Sequence, residues 1–457
     1  MKPLDKTKVP ILFILVSSAL MGALIITGNV LRENRSQALQ NPASRVLNQA
    51  APPSWSRIER DLGSLHELLR ENPKSSANHT RLGQGYLQKA RETSDPTYFT
   101  KAEALFQKAL ELDRRNFEAI AGMGSLCLSR HEFSEALRWG ERGLAVNPWS
   151  SELYGIVGDA SVELGDYERA VRLIQKMVDL KPQLSSYSRV SYLRELHGDI
   201  EGAIQAMSMA VSSGSTSREN TAWCQVELGN LYFNKGDYRS AEREYQTAKA
   251  RLPGYVHAKA GLAKIKAAQA DFSNAVQLYE EVVAALPFPE YVIALGDLYE
   301  QLGKPDLARR QYDLVEAMQQ LNKANGVDVE MELALFQADH DRNLAGALEQ
   351  AKRQSERQPN IKAADVLAWT LYKNGQYGEA QSVIENALRL GTRSALMLYH
   401  AGMIHFKAGD IVKAEGYLNQ ALSLNPRFSI RHAPEALKTL EELTAKGSGK
   451  GPKFGRG

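Results

Sequence analysis

Residues 395–428 read ALMLYHAGMIHFKAGDIVKAEGYLNQALSLNPRF. Counted from Ala395, Leu398 is the fourth residue, Ala401 and Gly402 the seventh and eighth, and His405 the eleventh. Ala414, Leu418 and Ala421 follow at 20, 24 and 27, and Pro426 at 32. Two apolar stripes of helical period are thus separated by Gly409-Asp410. Gly accepts a positive φ at little cost, and Asp favours turn and cap positions, so this pair predicts a turn. Pro426 stops the second stripe, because proline lacks the N–H and clashes inside a helix. Small residues at Ala401, Gly402, Ala414 and Ala421 mark where the two helices cross, with Leu398 and Leu418 filling the space between them. One such hairpin cannot bury its apolar face alone. A chain that repeats it must stack its units into one continuous core.

The pattern recurs. A first unit starts near Ser76 (Leu82, Gly83, Tyr86, then Ala102, Phe106, Ala109), with an expected insertion of about seven residues around ARETSDPTYFT relative to the ~34-residue norm. The second spans Phe117 to Ser150, and the third starts at Ser151. The fourth, from Leu184, has Ser191 where the glycine falls elsewhere, and ends in SSGSTS, which predicts a softer joint between two halves. Further units start near Ala222, Val256, Pro289, Asp328, Ile361 and Ala395. The eighth is degenerate, and the seventh's second helix runs on through EAMQQLNKANG.

These positions resemble the tetratricopeptide repeat (TPR) family, over roughly Ser76 to Phe428. The resemblance implies an all-α superhelical solenoid of about ten helix-turn-helix repeats that presents a surface to a protein or peptide. A single apolar segment ahead of such repeats resembles bacterial envelope proteins. One such group, in lipopolysaccharide assembly, carries a metal site of cysteine pairs. This chain has two cysteines, Cys127 and Cys224, and no such pair.

The flanks read separately. Residues 1–8 are a short basic segment, and 9–31 hold no charge and are long enough to span a bilayer. The expectation is an uncleaved membrane anchor. Cleavage after Ala19, or a buried segment, is the alternative. Lys2, Lys6 and Lys8 favour the N-terminus inside, which would place the repeats on the extracytoplasmic side. Residues 32–54 read as a polar linker, 55–75 as an N-terminal capping helix, 76–428 as the solenoid, 429–446 as a C-terminal capping helix, and 447–457 as a disordered tail. Net charge is +3, and without the four basic residues after Ala445 the chain is close to neutral. That argues against a general nucleic-acid surface.

No catalytic or cofactor constellation is present, and the chain does not read as an enzyme. HELLR at His66 and HEFSE at His131 are not HExxH motifs. Gly122 and Gly124, like Gly83 and Gly85, fall at helix-packing positions. His400 and His405 are five apart and off a shared face, so no metal site is expected. The working surface is expected on the first helix of each repeat. Its groove-facing positions carry the acidic residues Asp159, Glu163, Glu195, Asp297 and Glu300, with Glu118, Glu290, Glu332 and Asp339. They also carry the aromatics Trp223, Phe233, Phe336, Trp369, Tyr372, Tyr399 and Phe406. Lysines there are few: Lys264, Lys362, Lys373 and Lys407. An acidic, aromatic-lined groove predicts a basic, partly apolar polypeptide partner. With Val226 and Asn230 at the fifth and ninth positions of the fifth repeat, the Lys-and-Asn clamp for an acidic C-terminal tail is lacking. The expected function is a membrane-anchored interaction scaffold in cell-envelope assembly or secretion. The alternative is a structural subunit that self-associates.

Overall fold

The computed structural model describes residues 53–215 and 219–447. The expected anchor (9–31), linker and C-terminal tail therefore lie outside the described residues. Among the described residues no helix is long and apolar enough to cross a membrane. Those from Ser54 onward form one compact unit. They make 22 helices and no strand.

Ten helix pairs follow the expected repeats, from Ser76–Thr93 with Thr97–Leu112 to Ala395–Ala408 with Ile411–Leu424. Pro53–Glu71 precedes them and His432–Gly447 follows. Within each pair we refer to helix A and helix B. The small residues sit where the sequence places them. A Cβ on Gly402 would stand 2.7 Å from the Leu418 side chain. One on either Gly229 or Gly261 would stand 2.5 Å from the Tyr245 ring, which is held between the fifth and sixth repeats. Ser191 replaces glycine without an unsatisfied group, because its hydroxyl donates to the Ala203 carbonyl of helix B at 2.8 Å.

One expectation is corrected, and another falls partly outside the described residues. The extra residues of the first repeat do not form an inserted loop. Helix A instead runs 18 residues, Ser76–Thr93, and Ser94 in the left-handed region with Asp95-Pro96 makes a short turn. ARETSDPTYFT contains good helix formers up to Glu92, so lengthening the helix satisfies more backbone groups than a loop would. Residues 216–218 of the expected soft joint are not described. On either side of them the core is continuous, with Ala203, Met207 and Ala210 packed on Cys224, Leu228 and Leu231.

The repeats wind back onto themselves. Asp328 N–H donates to the Arg130 carbonyl at 2.9 Å, and His131 Nδ1 lies 2.8 Å from the Asp328 carbonyl. Asn360 Nδ2 donates to the Glu163 carbonyl at 2.8 Å, and Ile361 N–H to the Tyr167 hydroxyl at 2.8 Å. The Thr392 hydroxyl donates to the Leu196 carbonyl. Asn425 Nδ2 donates to the Phe233 carbonyl at 2.8 Å, and Asn425 Oδ1 accepts from the Tyr238 hydroxyl at 2.6 Å. Each pair is separated by 187 to 198 residues, between five and six lengths of a ~34-residue unit. The A–B turns of the second to fifth repeats thus meet the links that follow the seventh to tenth. Apolar contact crosses the same seam, where Ile361 and Met397 join the core of Tyr167, Ile174 and Leu196. The helices form a superhelix whose second turn sits on its first.

Candidate functional site

Closing the seam turns the expected open groove into an interior lined by helix A residues, with two cavities. The larger, about 780 Å³, is walled by Arg91 of the first repeat and by the second to fifth repeats on one side, and by the eighth and ninth on the other. It gathers Asp159, Glu163, Glu195 and Trp223 of the expected groove, together with Lys362. The smaller, about 610 Å³, holds Asp297, Lys264 and Phe233.

In the larger cavity, Asp159 is already engaged. Arg189 Nε and Nη2 donate to both of its oxygens at 2.7 to 3.0 Å. Glu163 accepts from Asn360 Nδ2 at 3.3 Å and from the Tyr192 hydroxyl at 3.4 Å. Burial opposes the charge on Lys362, but Tyr192, Glu163 and Glu195 outweigh it and hold the ammonium above its usual range. Two carboxylates differ from these. Burial raises both Glu195 and Glu227, the latter to about 7. Neither forms an ion pair among the described residues. Trp223 is 40% exposed, and the cavity surface includes it.

Toward the other end of the interior the site is filled by the chain itself. The link Pro426–Arg431 lines the smaller cavity. Ile430 packs on the core of the sixth to eighth repeats, which includes Tyr279, Leu295 and Tyr312. Arg431 pairs with Glu300, and its Nε lies 3.7 Å from Asp297. Asp297 also accepts from the Tyr312 hydroxyl and from His340 Nε2, each at 2.9 Å. The basic, apolar segment expected from a partner is supplied here in cis.

Several expected contact residues are not on the open surface. Phe233, Phe336, Trp369 and Tyr399 are buried, at 3% exposure or less. Their helix positions face neighbouring repeats as well as the interior, and large rings at such positions bury most area by packing inward. Tyr372 and Phe406 are half-buried, and Tyr372 stacks on Trp369 at 4.6 Å. The expected cation–π sites are taken as well. Lys264 lies 4.3 Å from the centre of the Phe233 ring, Lys373 5.7 Å from Trp369 and Lys407 5.7 Å from Phe406. Asp339 holds the C-terminal helix, accepting from Trp369 Nε1 at 2.7 Å and from His432 Nε2 at 3.1 Å. Tyr399 donates to Glu435 of that helix at 2.6 Å.

Sequence reasoning missed Arg189, Glu227, Tyr192 and Arg431. Glu227 escaped because it is the sixth residue counted from Ala222, between the fifth-position Val226 and the ninth-position Asn230 that were assigned to the groove, yet it lines the cavity. Arg431 lies outside any repeat and carries no periodic signal. Cys127 and Cys224 are free and buried, and burial pushes both thiols up to about 12.

Models of the tetratricopeptide repeat match residues 151–184, 226–290 and 366–427. This chain is built of tetratricopeptide repeats. Such proteins bind peptides or other proteins. The chain is 25% identical over 351 residues to cellulose synthase 1 operon protein C of Komagataeibacter xylinus, covering 76% of this chain and 21% of that protein. It is 31% identical over 290 residues to cellulose synthase operon protein C of Xanthomonas axonopodis pv. citri (strain 306), covering 58% and 18%. It therefore spans about a fifth of the length of these relatives. Among solved structures, the human IFIT1 dimer with m7Gppp-AAAA aligns over 82% of this chain and 87% of that one at 15% identity, with a TM-score of 0.46. The Cut9-Hcn1 hetero-tetramer aligns over 85% and 94% at 14% identity, with a TM-score of 0.36.

Proposed function

We propose that this protein is a scaffold of the bacterial cell envelope, anchored through residues 9–31, that holds a basic segment of a partner polypeptide inside its superhelix. The observation that carries the reading is the link Pro426–Arg431. A non-helical piece of chain made of turns, with Ile430 in an apolar seat and Arg431 on Glu300, already occupies part of the interior. That interior therefore has the width and charge to accept a polypeptide. The envelope assignment rests on the charge-free stretch 9–31 and on the likeness to two proteins named for cellulose synthase operons.

The test is protease accessibility of the repeats in intact spheroplasts of a Gram-negative host, followed by crosslinking from the exposed side. Digestion of the repeats together with a specific crosslinked envelope protein is the expected result. Protection from protease would place the repeats in the cytoplasm and remove the envelope reading.

A further inference from the structure

The larger cavity has a counterpart that the molecule fills for itself. Helix A of the seventh repeat, Pro289–Gln301, and helix A of the fourth, Leu184–Leu196, both have 13 residues. Glu300 and Glu195 are the twelfth residue of each, at the same register of the repeat. Glu300 receives Arg431. Among the described residues neither Glu195 nor Glu227, which share the cavity, forms an ion pair; Lys362 acts on Glu195 and Lys264 on Glu227 only from a longer distance, and Asn234 and Asn230 hydrogen-bond them. A third observation comes from the opposite wall. Gln354 is 1% exposed and lines the same cavity. Its amide nitrogen donates to Asp328 at 2.8 Å, while its amide oxygen has no donor. The lining of this cavity of about 780 Å³ carries six carboxylates against the cations Arg91, Arg189 and Lys362.

We propose that this cavity seats an arginine of an extended partner segment, with the guanidinium at Glu195 and Glu227 and the flanking apolar residue against Trp223. The inference rests on the scaffold reading above and names the side chain that reading needs. A guanidinium suits the site because it brings five donors in a planar fork, matches carboxylates, and stacks on indole. Glu227 is held near neutrality by burial, by Glu290 and by Glu195, against the opposing influence of Asn230 and Lys264. A bound cation favours its ionised form, so binding releases a proton and tightens as pH rises through about 7.

The probe is a blocked, fluorescently labelled hexapeptide with the sequence of residues 427–432, RFSIRH, titrated into the full chain and read by anisotropy. Replacing the second arginine by citrulline, which keeps the shape and loses the charge, is expected to weaken binding at least tenfold. The double substitution Glu195→Gln with Glu227→Gln is expected to do the same, with the thermal midpoint unchanged. Glu300→Gln should change affinity less than twofold. Equal binding by the double variant or by the citrulline peptide overturns the proposal. So does loss of binding in Glu300→Gln alone, which would show the probe displacing the chain's own link. N-acetyl-arginine amide binding as tightly as the hexapeptide also overturns it, in favour of a small-cation site. An envelope protein crosslinked equally by wild type and by the double variant would leave the scaffold reading standing and remove the cavity from it.

Discussion

Ten A–B turns in this molecule share one backbone device, and they divide into two groups by what lies opposite. Each contains a residue in the left-handed region, six of them glycine. In the third, fourth and fifth repeats the glycine faces the seam. A Cβ on Gly165 would sit 2.5 Å from the Pro359 carbonyl oxygen, on Gly198 2.4 Å from that of Gly391, and on Gly236 2.9 Å from that of Leu424. In the seventh, ninth and tenth repeats, Gly303, Gly375 and Gly409 have equally positive φ and nothing within 4 Å. Locally, Gly165-Asp166 and Gly409-Asp410 are the same turn, down to the Asp side chain that caps helix B. One is a joint between superhelical turns and the other a surface corner. The same dipeptide therefore carries two different energetic demands, and only the first involves the second half of the chain.

Substitution at the two groups should separate those demands. Gly165→Ala or Gly198→Ala adds the ~1–2 kcal/mol cost of an alanine in the left-handed region to the loss of close carbonyl approach and of neighbouring seam hydrogen bonds worth about 1 kcal/mol each. The expected destabilisation is about 3 kcal/mol, with faster amide exchange at Ile361 or in the 391–393 link. If chemical denaturation shows no more loss than at Gly375, the turns do not touch in solution.

The end of the second turn is held by charge instead. Burial opposes the charge on His432, yet Asp339 and Glu435 raise it to about 9, above the ordinary histidine value of 6.5. Its contribution is fully present below the unfolded value near 6.5 and is lost as pH rises through about 9. Alkaline titration should therefore loosen the C-terminal helix while the seam stays closed, a loss of about 2–3 kcal/mol that His432→Gln removes from the pH profile. A flat melting profile between pH 7 and 10 in the wild type would contradict this.

A smaller effect isolates the seam hydrogen bond itself. Asn360 both caps helix A of the ninth repeat through Oδ1 and donates through Nδ2 to the Glu163 carbonyl. Asn360→Asp keeps the cap and replaces the seam donor with a charge beside Glu163. The expected loss is about 1–2 kcal/mol, measured against Ser394→Asp, whose cap has no seam partner among the described residues. Gly375→Ala, with open space around it, should cost only the ~1–2 kcal/mol of the left-handed backbone. A larger loss there would mean that second-turn corners also have partners.

Legibility followed the range of the interaction. The hairpins could be read at Gly402, Ala414 and Leu418 because each residue's packing partner lies within about one ~34-residue repeat, where periodicity reports it. The capping helix after Phe428 could be read from its own amphipathic face. The clustering of Asp159, Glu163, Glu195 and Trp223 was also visible, since all four follow repeat register. The burial of Trp369 and Tyr399 was not, because register states which face a residue occupies and not how closely the next repeat covers it. Arg189, one repeat away from Asp159, was missed because a single arginine on a helix carries no periodic signal of its partner.

The amino-acid sequence by itself determined that this protein is a stack of helical hairpins, where each turn falls, and that its inner face is acidic. Those follow from side-chain size, backbone freedom at glycine and proline, and charge, all of which act over a few residues to one repeat. The tertiary structure alone decided that the stack closes on itself after five to six repeats and that Arg431 fills one part of the interior. It also decided that, among the described residues, Glu195 and Glu227 form no ion pair in another part. Superhelical pitch is the sum of small rotations at every interface. Contacts some 190 residues apart depend on that sum, and no single interface encodes it.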